Sequence, residues 1–123
     1  MKLIRIHGQP SWPFASDKVD AAITRQGGHL APVRFRLPHG VVQPYSVAPW
    51  AEEKASAKLI PLLRSLRGDF FCAPFGGSDS VYRGEKHPPH GEVANSNWKL
   101  ESGPTGECFR QPIEHADRVS KTR

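Results

Sequence analysis

The chain reads as an all-β protein, a partial antiparallel β-sandwich with one short helix, and three observations lead there. Of its 123 residues, 11 are Gly and 12 are Pro, a density of punctuation that suits short strands joined by turns. Val33, Phe35 and Leu37 alternate with Arg34 and Arg36, which is the period of a half-buried strand. Residues 70–75 form a continuous apolar run, Phe-Phe-Cys-Ala-Pro-Phe, and such a run predicts a buried strand.

The remaining elements follow in order. Residues 1–16 hold Pro10, Trp12, Pro13 and Phe14 without a period, and read as an extended lead-in. Residues 19–24 predict a strand that Gly27-Gly28 ends, and 29–37 hold the alternating strand. Pro38-His39-Gly40 signals a turn. Residues 41–47 resume β-branched content, with Pro44 marking an edge or irregular strand. Residues 51–58 are rich in Ala, Glu and Lys, and Leu59, Leu62, Leu63 and Leu66 recur at helical spacing. Pro61 would interrupt a helix through the whole stretch but can start a short surface helix over residues 62–66.

Residues 76–91 are turn-rich, and 98–101 begin another strand. Beyond residue 102 the periodicity disappears. The expected division is therefore a β-rich part, 1–101, and an irregular, disordered tail, 102–123. The abrupt loss of pattern near Glu101 suggests a truncated copy of a longer protein.

Composition narrows the partners. The chain carries 17 basic and 12 acidic residues, a formal charge of +5. The charges are scattered, and the densest basic stretch, 118–123, is terminal. Without a basic face interleaved with aromatics, no nucleic-acid partner is expected. No apolar stretch approaches the roughly 18 residues of a membrane span. The N-terminus is interrupted by Lys2, Arg5 and His7 and lacks a signal-peptide core. A cytoplasmic protein with no membrane partner is expected. Cys72 and Cys108 are too few for a disulfide framework, and Cys72 in its apolar run reads as a small buried hydrophobe.

Two constellations could carry chemistry. In Arg67-Gly68-Asp69 an Arg at the mouth of a buried strand can aim a planar fork of donors at a ligand oxygen, and Gly68 lets backbone come close. Spacing alone favours a plainer surface pair between Arg67 and Asp69. In residues 85–92, His87, His90 and Glu92 could ligate a metal in a small cupin-like β-barrel. The prolines 88 and 89 keep this segment extended, and His-x-x-His departs from the cupin His-x-His pair. His90 could equally donate and accept at a sugar site.

Order and spacing favour the sugar reading. The chain holds Arg67-Gly68, then Phe71-Cys72-Ala73-Pro74-Phe75-Gly76, then Pro89-His90-Gly91, with Trp98 eight residues after His90. Upstream stands Gly28-His29-Leu30-Ala31-Pro32-Val33. Taken together, residues 19–100 resemble the galactose mutarotase (aldose 1-epimerase) superfamily in its N-terminal portion. The resemblance implies an antiparallel β-sandwich with a hexose-type sugar in an open groove. It also implies anomer interconversion by a general acid and a general base, without cofactor or metal.

By motif, His90 would be the substrate-binding His and Arg67 the groove arginine. Trp98 would pack beneath the site, and Asp69 and His87 are secondary candidates. The sugar-phosphate branch of the family has an Arg four residues after the motif His. This chain has Ala94 there, with Glu92 close by, which disfavours a phosphorylated sugar. The family's catalytic His and Glu lie downstream of this motif, and Glu107, Glu114 and His115 do not resemble those segments. Binding without turnover by this chain alone is therefore expected. Uncovered strand edges in such a partial sandwich predict self-association.

Overall fold

The computed structural model describes residues 1–74, 81, 84–104 and 106–110. Five strands form one antiparallel sheet in chain order: β1 (Ile4–Ile6), β2 (Gln9–Ala15), β3 (Val19–Thr24), β4 (Leu30–Leu37) and β5 (Gly40–Val42). A separate hairpin joins β6 (Lys99–Gly103) to β7 (Gly106–Arg110). Between them lie a 3-10 turn at Lys54–Lys58 and two five-residue helices, α1 (Pro61–Ser65) and α2 (Gly91–Asn95). The class is all-β with a few short helices, where the sequence predicts one. Among the described residues no helix is long and apolar enough to cross a membrane.

The expected lead-in is a hairpin. Ile6 pairs with Gln9, leaving His7-Gly8 as a two-residue turn with φ of 45° and 78°. Two successive positive φ values are what a type I′ turn needs, and His is among the residues that tolerate them. Gly8 is obligatory, because a Cβ there would lie 2.2 Å from the Ala51 carbonyl oxygen. The prolines of β2 are tolerated for a positional reason. Pro10 needs no amide to accept from Arg25 (2.8 Å) on the β3 side. By alternation Pro13 faces the β1 side, where β1 has already ended at its Ile4–Ser11 pair.

The alternation in β4 is real, but burial fades along it. Val33 is 5% exposed, Phe35 40% and Leu37 54%, since that half is flanked only by the start of β3 and the short β5. Arg36, on the opposite face, binds Asp20 through both carboxylate oxygens. β5 is an edge strand and stops before Pro44. Pro61 begins α1, and the Ala-rich stretch before it makes only the 3-10 turn.

The predicted buried strand over 70–75 does not form. Phe70, Phe71 and Cys72 have no strand assignment, and Phe71 is 65% exposed. Pairing falls instead on the residues just before, through bridges Val47–Arg67 and Leu30–Asp69, and the chain then leaves the sheet. Cys72 is accordingly half-buried. Phe75 and residues 76–80, 82 and 83 lie outside the described residues. The hairpin β6–β7 carries regular structure to Arg110, past residue 102 where the sequence pattern fades. Residues 111–123, with Glu114 and His115, also lie outside the description.

The hairpin covers β2: Phe109 packs with ring centroids 5.5 Å from Trp12 and 6.4 Å from Phe14. The buried apolar set is modest, namely Trp12, Val33 and Leu62 with five alanines. The largest fully buried side chains are polar, led by Arg67 and His29. Buried polar groups of that size must be satisfied internally, and they direct attention to one end of the sheet.

Candidate functional site

Arg67 follows α1 by two residues and is 2% exposed. Its Nε donates to the Ser65 carbonyl (3.1 Å), Nη1 to Ile6 (3.0 Å) and Nη2 to His7 (2.8 Å). The sequence suggests a fork aimed at a ligand oxygen. In the structure the fork closes the β1–β2 turn by donating to its Ile6 and His7 carbonyls. The geometry suits a planar guanidinium, which can serve several carbonyls at once. Burial lowers the Arg67 pKa to about 10, against a raising influence from Glu52, so the charge persists at neutral pH.

Behind Arg67 stands His29, fully buried at the start of β4. It sits in a tight loop: its amide donates to Thr24 Oγ1 (2.9 Å), and its carbonyl accepts from the Thr24 amide (2.9 Å). Its Nδ1 lies 3.3 Å from the Arg67 carbonyl and 3.4 Å from the Arg67 amide. Desolvation drives the His29 pKa from 6.5 down to about 4; the Arg67 backbone bond opposes this, and the charges of Arg67 and His90 add to it. The imidazole is neutral at pH 7. Nothing in the local periodicity marks His29. The Gly27-Gly28 pair before it is the available signal, because a Cβ at Gly27 would lie 2.7 Å from the His29 ring.

The His29 ring stacks on Phe70 (centroids 4.3 Å, planes 22° apart), and Phe70 meets His90 edge-on at 5.5 Å and 74°. His90 Nδ1 lies 3.5 Å from Cys72 Sγ. Phe70 and Cys72, two residues apart, thus both touch one imidazole. The link between Arg67 and His90 runs through this stack. His90 itself is exposed.

His90 precedes α2 with φ of 63°, and Gly91 follows at 77°. Only Gly fits at 91: a Cβ would stand 2.2 Å from the Pro74 carbonyl oxygen and 2.5 Å from that of Ala73. The Val93 amide donates to the Ala73 carbonyl (3.2 Å). The backbones at 72–74 and 90–93 are therefore pressed together, and His90 and Cys72 are held side by side. Sequence spacing picks out His90 and Gly91; the partners Phe70, Cys72 and His29 emerge only from the fold.

The secondary candidates fall around this cluster. Asp69 has an exposed side chain, and its backbone pairs with Leu30. Trp98 donates from Nε1 to the Val93 carbonyl (3.2 Å), and its indole lies against Gly28, where a Cβ would come within 2.5 Å. It clamps α2 to the Gly27-Gly28 loop. His87 pairs with Glu85 (3.4 Å) and Glu92 (3.5 Å), whereas His90 faces Cys72 and Phe70. Among the described residues no group of three or more His, Cys, Asp or Glu side chains is assembled to hold a metal ion.

Compared with models of protein families, with curated proteins and with solved structures, the chain matches none.

Proposed function

We propose that this chain is a carbohydrate-binding protein of the galactose mutarotase type, carrying part of a β-sandwich, and that His90 meets a hexose. The observation that carries the reading is the setting of His90: an exposed imidazole in a left-handed conformation, steadied by Phe70 and Cys72. A neutral imidazole both donates and accepts, which matches the paired character of sugar hydroxyls. Phe70, edge-on to the imidazole, supplies apolar surface beside it of the kind that binding sites combine with a few placed polar groups. Arg67 and His29 act beneath it as positioning groups, and Trp98 fixes the adjoining loop.

The ligand in this reading is a neutral hexose. Ala94 is buried on α2, and Glu92 lies two residues from His90; neither provides a cation for a phosphate. The activity is binding, without anomer exchange by this chain alone.

The test is a titration with galactose and with glucose, following the imidazole proton resonances of the histidines. Selective, saturable shifts of His90 are expected, with accompanying shifts of the neighbouring Phe70 ring protons that vanish in His90→Asn. Asn keeps the left-handed backbone accessible, so loss of binding there reports the imidazole. Unmoved His90 resonances at sugar concentrations of roughly 100 mM, far above ordinary millimolar affinities, would rule the reading out. Polarimetry should find anomer exchange no faster than in buffer.

A further inference from the structure

We infer that Cys72 is a covalent modification site, a thiol that exchanges with small-molecule disulfides using His90 as its proton acceptor. The inference stands apart from sugar binding and needs no ligand in the groove. It rests on a pair of groups, not on a lone cysteine. His90 Nδ1 is 3.5 Å from Cys72 Sγ, and the pair is locked by two independent features. One is the Val93–Ala73 backbone bond (3.2 Å). The other is the close approach of Gly91 to the 73–74 backbone, which no side chain at 91 would permit. The edge of Phe70 against the His90 ring limits its rotation.

A thiol attacks a disulfide as thiolate, so a base beside it matters as much as exposure. Cys72 is half-buried and so is reachable. In the exchange the Cys72 S–H bond breaks and its proton passes to His90 Nδ1. The sulfur attacks one sulfur of the disulfide, forming a mixed disulfide while the original S–S bond breaks. The departing thiolate takes up a proton, from the imidazolium or from water. Cys72 is oxidised, and half of the reagent is reduced to a thiol.

The molecule contains its own control. Cys108 is exposed on β7, paired across the hairpin with Glu101 rather than with a histidine. Exposure alone would make Cys108 the faster thiol. The imidazole reverses that order.

The experiment uses the full chain and an aromatic disulfide reagent, with release of the coloured thiol read in stopped flow. Cys108→Ser isolates Cys72, and Cys72→Ser isolates Cys108. Cys72 is expected to react about tenfold faster than Cys108 near pH 7, and His90→Asn in the Cys108→Ser background to lower its rate about tenfold. The comparison of Cys72 with Cys108 is read on variants retaining His90, so it serves even if His90→Asn fails to fold. Cys72 reacting no faster than Cys108 overturns the inference. So does a rate in a folded His90→Asn protein within about twofold of its parent.

Discussion

The Nδ1 atom of His29 lies between the amide (3.4 Å) and the carbonyl (3.3 Å) of Arg67, residues 38 positions apart in the chain. One ring thus ties the start of β4 to the segment that closes the β1–β2 turn. Its other nitrogen, Nε2, is buried without a hydrogen-bond partner among the described residues, and the ring is held by stacking on Phe70. Whichever nitrogen carries the proton, charging this ring in place is unfavourable.

A pH dependence of stability follows. The unfolded chain protonates His29 near 6.5, and the folded chain does so only near 4. Between those values the unfolded state binds more protons, so stability is full above 6.5, falls with decreasing pH, and reaches its floor below 4. The full loss is on the order of 3 kcal/mol. Urea unfolding at about pH 7.5 and about pH 4.5 should show His29→Gln losing about 2 kcal/mol less than the parent between the two conditions. Equal losses would show that His29 is not the titrating group.

Arg67 should be intolerant even of Lys. Removing the guanidinium takes three hydrogen bonds away, those to the carbonyls of Ser65, Ile6 and His7, and Arg67→Met is expected to cost about 3 kcal/mol of unfolding free energy. Arg67→Lys should recover less than about half of that, since a single ammonium lacks the fork that spans them. Full recovery by Lys in denaturant unfolding would mean that the charge, not the planar fork, carries the contact.

Gly68 is demanded by close packing. Its φ is +49°, and an added Cβ would fall 1.9 Å from the Leu30 carbonyl oxygen. Gly68→Ala should break the Leu30–Asp69 bridge, cost more than about 2 kcal/mol, and speed hydrogen exchange at the Leu30 amide. Gly103→Ala is the control: among the described residues its Cβ would meet only the Gly106 oxygen, at 3.4 Å, and it should stay within about 0.5 kcal/mol of the parent.

Phe109 tests whether the C-terminal hairpin is part of the folded body. Truncation to Ala removes its contacts with Trp12 and Phe14. A cost of about 1–2 kcal/mol is expected for a half-buried aromatic, with a change in Trp emission. Unchanged stability and emission would mean that the hairpin does not dock on β2.

Local pattern reached a definite distance into this protein. Turn density, β-branched content and the Val33–Leu37 alternation were enough for the all-β class, because strand period and turn chemistry are properties of neighbouring residues. Pro61 located α1 for the same reason. The His7-Gly8 turn was also local, but His in place of the usual Asn or Asp, among scattered prolines, hid it. The resemblance drew His90, Gly91, Arg67 and Trp98 out of the sequence as a group, without saying what each one touches.

Tertiary structure decided the rest. The apolar run at Phe70 and Phe71 had the composition of a buried strand, but Arg67 and Asp69 took the available bridges first, and composition cannot register that competition. The direction of the Arg67 fork depended on where the His7 turn came to lie, 60 residues away in the chain. The neutrality of His29 came from burial among segments distant in sequence. The pairing of Cys72 with His90 required a backbone approach that only Gly91 allows. Desolvation and side-chain direction are set by everything packed around a group, and no window of sequence contains all of it.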